Sequence, residues 1–496
     1  MDQSKKTPPS QGLSRRPRIA LHYVQTSGRI DDLKNLLDGV LVEMGFNTLI
    51  LNLTSDAFRF TCRSKLAKHQ YEPGALEAKH CQAIAKICQD RGLELIVGFN
   101  ILSHQKHGAG GHALLSAFPQ FAAPEEPWKP DVEYNKWQVR VGPTVRREGC
   151  SYVGLRDHIS SSSNAPGTGS HWRLFWRKQG CGPAPELPPS WSVGQRYQVT
   201  WKQKDDGVSS LGEEPGPDST VWVPSTPRSL DLLRFRPGPS REDGGPNPFH
   251  GLLLAEPTYW EPVLEDMIEE IIRAFSLPTP PVLGFDSRPK DPLVGFHVRI
   301  DEERYHASQL TKTPINLDGS QVRKLFAGLL MSAHRVITGH GLSMIMFHDM
   351  LTEDGHNREA GMADAIDDIP KDIIIDFWGY GHDYGVDYQY FIDNGFALWP
   401  TTYCRGNKPR QMLEEIGGHL DGEQIIGLIF DIQNKNLAEL HERLRDGTMH
   451  CLDDFEHGRT IQLAAENILW TLPRFKALLA GDALDQEDFP HCADDP

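Results

Sequence analysis

The chain has 496 residues, enough for about three average domains or for one large α/β barrel carrying insertions. Apolar residues make up 39% and charged residues 24%, a globular composition rather than a disordered or fibrous one. Lys and Arg total 51 against 67 Asp and Glu, a formal charge of −16, which argues against non-specific nucleic-acid binding because phosphate contacts need a basic surface.

Residues 1–16 are polar, basic and Pro-containing and read as a disordered lead-in. No apolar core follows Lys5 and Lys6, so no secretory signal is expected and the cytoplasm is the first expectation; a virion or non-classical export stays open. No apolar run approaches the ~20 residues of a membrane span. A strand–helix rhythm then begins. Strands are expected at 19–24, 47–53 and 93–99. Between them lie helices at 30–44, with Leu33, Leu36, Leu37, Val40 and Leu41 at helical spacing before Gly45, and at 72–90.

From about 124 to 248 the composition shifts to Pro, Gly, Ser and Trp. The rhythm resumes with a helix at 260–275 and strands at 293–298, 343–348, 372–378, 395–399 and 424–431. Helices at 319–338, 385–394, 408–418, 435–446 and 459–480 accompany them. Eight strands alternating with helices predict a (β/α)8 barrel; the competing open doubly wound sheet lacks a Gly-rich phosphate loop after its first strand. The expected organisation is a barrel formed by 17–133 and 246–485, a β-rich insertion at 134–245 between strands 3 and 4, and a tail at 486–496.

The eight cysteines show no metal-binding spacing and suit unpaired thiols, with a Cys150–Cys181 bridge open for a protein acting outside a cell. No metal and no cofactor is implied.

Chemistry in such a barrel sits at the C-terminal strand ends. There the sequence offers Asp56 and Phe58, His104, Asp301 and Glu302, His348 and Asp349, Trp378, Tyr403 and Asp431. Carboxylates and aromatics around one mouth suit a sugar, since rings stack on pyranose faces and carboxylates hydrogen-bond hydroxyls and carry protons.

The segment Val294-Gly-Phe-His-Val-Arg-Ile-Asp-Glu-Glu303 resembles the His-x-Gly-x-Asp-Glu motif of family 20 glycoside hydrolases, the β-N-acetylhexosaminidases. His297, Asp301 and Glu302 match it. Asp56-Ala-Phe58, the run 93–105, Phe347-His-Asp-Met-Leu351 and the Pro370–Trp378 stretch resemble further strands of that family, most closely its intracellular hexosaminidase D-like branch.

The resemblance implies substrate-assisted retention, in which Glu302 is the general acid and later activates water. Asp301 would orient the 2-acetamido group, whose carbonyl oxygen attacks the anomeric carbon. It also implies that Trp378 walls the acetamide pocket, that Tyr403 hydrogen-bonds the acetamide oxygen, and that Asp349 supports the pocket. The partner is then an N-acetylhexosamine-containing glycan.

Three departures stand out. Arg299 replaces the motif's glycine, Gln25 stands where the family supplies an Arg, and Asp431 is a partial substitute for a Trp and carboxylate pairing on strand 8. If the strand runs on regularly, His297, Arg299 and Asp301 share a face. Arg299 would then pair with Asp301 or fill the sugar pocket. A non-catalytic glycan-binding protein, or a glycosidase that does not need the acetamide, are therefore the other readings.

In the insertion, Tyr152–His158 and the Asn164-Ala-Pro-Gly-Thr-Gly-Ser-His-Trp172 stretch resemble small β-rich modules related to chitin-binding families 5 and 12. That makes Trp172, Trp176 and Tyr152 candidates either for a sugar platform or for a small core.

Overall fold

A computed structural model describes residues 17–24, 27–53, 57–69, 74–101, 144–148, 150–154, 158–181, 200–203, 209–211, 222–224, 257–277, 291–300, 319–352, 362–378, 388–402, 408–420, 424–432, 437–447 and 460–485, with 71, 113, 126–127, 129–131, 133–134 and 156. The barrel strands are β1 (Arg18–Val24), β2 (Thr48–Asn52), β3 (Glu94–Gly98), β4 (Leu293–His297), β5 (Ser343–Phe347), β6 (Ile374–Trp378), β7 (Ala397–Thr402) and β8 (Gly427–Asp431). Each pairs in parallel with its sequence neighbours, and β1 pairs with β8, so the sheet closes. The fold is an eight-stranded (β/α)8 barrel.

The helices follow from their apolar spacing. α1 (Ile30–Leu36) buries Leu33 and Leu36 and continues in a wider π turn, Leu37–Leu41, that buries Leu37, Val40 and Leu41. α2 (Ala78–Arg91) opens with reciprocal capping between Glu77 and His80 and closes at Gly92, whose φ of 65° is the left-handed C-cap that glycine adopts without strain. The second half supplies α3 (Pro257–Phe275), α4 (Gly319–Gly339), α5 (Tyr388–Asp393), α6 (Lys408–His419), α7 (Leu437–Asp446) and α8 (Thr460–Leu479). Neighbours around the ring pack pairwise: α2 on α3, α3 on α4, α6 on α8, and α7 on both α1 and α8.

Outward strand residues such as Leu49, Leu95, Met346 and Phe430 join helix residues in the main core. Inward residues form a separate plug of Ala20, Ile50, Ile96, Ile345, Ile374, Trp399 and Ile429. Alternation along each strand produces these two layers. Below the plug, Arg18 is buried and paired with Glu94 (Nε–Oε2 2.5 Å), with its guanidinium over the Trp399 ring. Inward space is tight at Gly98, where an added Cβ would overlap the His297 carbonyl oxygen, so only glycine lets β3 and β4 approach here.

Between β3 and β4 the described residues form small sheets. One joins Glu126–Pro127, Thr144–Arg147, Cys150–Gly154 and Trp176–Cys181. Another pairs Glu133–Tyr134 with His158–Ile159. A third joins Thr200–Gln203, Ser209–Leu211 and Trp222–Pro224. Cys150 and Cys181 are opposite one another in the antiparallel register. Among the described residues no helix is long and apolar enough to cross a membrane.

Candidate active site

Above the plug, the inward positions turn polar. His22 comes from β1, His297 from β4, Asp376 from β6, Thr401 from β7 and Asp431 from β8; all five are buried. His22 is opposite Asp431 in register, and hydrogen bonds bring Thr401 and His297 to Asp376. Burying polar groups at this density requires that each be satisfied, and the hydrogen bonds show how.

Thr401 Oγ1 donates to Asp376 Oδ1 (2.5 Å), and Asp376 Oδ2 lies 3.0 Å from His297 Nε2. On the other side of the ring, the backbone N–H of Arg299 donates to His297 Nδ1 at 3.0 Å. An acceptor at Nδ1 places the His297 proton on Nε2, where it donates to Asp376. The imidazole is thus held neutral, with tautomer and ring plane both fixed. A second line starts at the Arg299 guanidinium, which donates through Nη1 to His22 Nε2 (2.9 Å). Because guanidinium only donates, His22 carries its proton on Nδ1, facing Asp431 Oδ1 at 3.3 Å. The His22 and His297 rings are nearly parallel, with centroids 6.3 Å apart.

Burial is the largest influence on His297 and depresses its pKa to about 4; the hydrogen bond it donates to Asp376 opposes this. The unfolded chain therefore binds a proton at His297 below about pH 6.5 that the folded chain does not bind until about pH 4. Stability from this group is complete above pH 6.5 and falls as pH drops towards 4, by about 3 kcal/mol in all. Urea titrations of wild type and His297→Gln are expected to differ by the loss of about one proton's slope in that window; parallel curves would contradict the assignment.

The turn after β4 differs from a continued strand. β4 ends at His297, and Arg299 takes φ = 37°, one of three positive values at non-glycine residues among the described chain. His297 and Arg299 therefore do not share a regular strand face. The left-handed backbone redirects the Arg299 side chain towards His22 and over the Phe347 ring, 5.1 Å from its centroid. Among the described residues the hydrogen bond of this guanidinium goes to His22; the expected partner Asp301 lies outside the described residues.

Of the residues expected at the mouth, His297, Trp378 and Asp431 come together, joined by His22, Asp376 and Thr401, which the sequence reading did not single out. Trp378 is the last residue of β6 and is buried, edge-on to Phe347 (6.2 Å) and to His348 (5.5 Å). Its backbone N–H is 3.3 Å from His348 Nδ1. Asp349 is fully buried in the short 3-10 turn Asp349–Leu351 after β5. Asp56, His104, Asp301, Glu302, Tyr403 and Gln25 lie outside the described residues. Among the described residues no three His, Cys, Asp or Glu side chains gather as metal ligands.

In the insertion, Tyr152 and Trp176 are buried and form a small core with Val145. Trp172 is only half-buried, edge-on to Tyr152 at 5.6 Å and beneath the Arg173 guanidinium. Of the three aromatic candidates, it is the one with ring surface left to offer.

No protein-family model and no curated protein matches the chain. Among solved structures, the chain is similar to the chitobiase of Flavobacterium johnsoniae, with 13% identity, a TM-score of 0.42 and coverage of 94% of this chain and 52% of that one. It spans about half of that protein's length. A family 20 β-N-acetylglucosaminidase follows at 12% identity and a TM-score of 0.41, covering 94% of this chain and 73% of that one. The catalytic domain of a β-amylase from Paenibacillus polymyxa has 10% identity and a TM-score of 0.34, with 85% and 93% coverage. The barrel rests on the strand pairing above, not on these likenesses.

Proposed function

We propose that the protein is a glycoside hydrolase that removes terminal β-linked N-acetylhexosamine by the substrate-assisted retaining route. One observation carries the reading: Arg299, two residues past the end of β4, holds φ = 37°. A left-handed φ is one that glycine, the residue the His-x-Gly-x-Asp-Glu motif has at this place, adopts without strain, which supports the reading. In this reading Glu302 protonates the glycosidic oxygen and then activates water, while Asp301 aligns the 2-acetamido group as internal nucleophile. Trp378 supplies an apolar wall, and the barrel plug excludes water from below.

The decisive comparison is release of 4-nitrophenol from N-acetyl-β-glucosaminide and N-acetyl-β-galactosaminide against the β-glucoside, which has a hydroxyl in place of the acetamide. Cleavage of the first two and not the third is expected. Equal cleavage of all three would defeat the substrate-assisted mechanism.

A second reading is favoured by the Arg299 side chain itself, which reaches across the mouth to His22 where a sugar would sit. It makes the protein a non-catalytic glycan binder. Absence of turnover together with a rise in Tm on adding the free sugars selects it.

A further inference from the structure

We propose that Arg299 is an anchor for an acidic group on the sugar, so that the site takes glycans bearing a carboxylate or sulfate ester. This rests on the reading of the barrel mouth as a sugar site. The guanidinium is fixed from two sides: Nη1 donates to His22 Nε2 at 2.9 Å, and the carbon of its head lies 5.1 Å over Phe347. His22 is in turn held by Asp431, and Phe347 by the edge of Trp378. What remains is the edge formed by Nε and Nη2. Among the described residues these two nitrogens have no hydrogen-bond or ion-pair partner, and the Arg299 side chain is only partly buried.

An Nε–Nη2 edge is the planar fork that matches two oxygens of a carboxylate or sulfate. Here it is immobilised before any ligand arrives, which removes most of the ordering cost of a free arginine. The position also carries a cost: a non-glycine residue at φ = 37° is strained, and among the described residues the side chain's contacts are a bond to the His22 imidazole and one ring face. Bidentate charge-assisted hydrogen bonds to an oxyanion would offset that strain in the bound state. The carboxylates Asp376 and Asp431 do not compete for this edge, since His297 and His22 stand at their oxygens.

The test uses the full chain and isothermal titration with five probes: glucuronic acid, glucose, N-acetylglucosamine 6-sulfate, N-acetylglucosamine and inorganic sulfate. At least one acidic sugar is expected to bind about tenfold or more tightly than its neutral counterpart, and the carboxylate and sulfate arms identify the group. Arg299→Gly suits the left-handed backbone and so should fold; it is expected to erase the preference. Arg299→Lys keeps the charge without the fork and is expected to retain only part of it. Equal affinity for acidic and neutral sugars, survival of the preference in Arg299→Gly, or inorganic sulfate binding as tightly as both acidic sugars would overturn the proposal. Turnover of neutral aryl N-acetylhexosaminides is read separately. Its absence with the anion preference intact sinks the hydrolase reading alone, and its presence without that preference sinks only this one.

Discussion

Glu302→Gln is expected to lower kcat on 4-nitrophenyl N-acetyl-β-glucosaminide by about 10²- to 10⁴-fold while KM changes little. General acid catalysis contributes a factor of this order, and the carboxamide keeps the shape of the side chain without a transferable proton. The loss should depend on the leaving group. A 2,4-dinitrophenolate departs with little help from an acid, so the same variant should lose far less on the dinitrophenyl glycoside in the step that breaks the glycosidic bond. Asp301→Asn should behave differently, because its proposed task is to position the acetamide and stabilise the developing positive charge. Its loss is therefore expected to be similar for both leaving groups. A Glu302→Gln enzyme with wild-type kcat on the nitrophenyl substrate removes Glu302 from the acid role. A uniform loss with both leaving groups points instead to general damage of the pocket.

The barrel was legible because alternation of short apolar runs with helical spacing survives in each strand–helix unit. The expected strands all overlap the observed ones. The instructive miss is β7, expected at 395–399, whereas the strand runs on through Pro400 to Thr402. Proline is ordinarily confined to strand edges and ends, but Pro400 sits opposite Phe377 with β6 on one side. That three-residue extension is what carries Thr401 to Asp376. His22 and Asp376 were missed for a different reason. Each has apolar or aromatic residues on both sides in its strand, and its partner lies far along the chain: 79 positions separate Asp376 from His297, and 277 separate His22 from Arg299. Inward parity was the available signal, since His22 follows Ala20 and Asp376 follows Ile374 at a spacing of two. Arg299 was visible as a departure from a motif. Its side-chain direction was not, because one left-handed φ decides it and no local pattern encodes that angle.

Asp376→Ala is expected to be the most damaging single change in the polar layer. The carboxylate is fully buried and accepts two hydrogen bonds, one from the His297 Nε2–H and one from the Thr401 hydroxyl. Removing it strands both donors without water, at about 1–3 kcal/mol each, and leaves a small cavity, so a loss of about 3–5 kcal/mol in urea unfolding is expected. Asp376→Asn can place its carbonyl oxygen on His297 and its amide on the Thr401 oxygen, so it should cost only about 1 kcal/mol. The functional consequence goes beyond stability. Asp376 is the group that keeps the proton on His297 Nε2, leaving Nδ1 free to accept the Arg299 N–H. Without it the imidazole can place its proton on Nδ1, the Arg299 amide loses its acceptor, and the turn leading to Asp301 and Glu302 is no longer pinned. In Asp376→Ala, amide exchange at Arg299 should rise at temperatures where the barrel is still folded, and turnover should fall with it. In Asp376→Asn both should stay near wild type. If Asp376→Ala is destabilised but its Arg299 amide stays protected and its turnover is unchanged, the pair Asp376–His297 holds the barrel together without setting the turn.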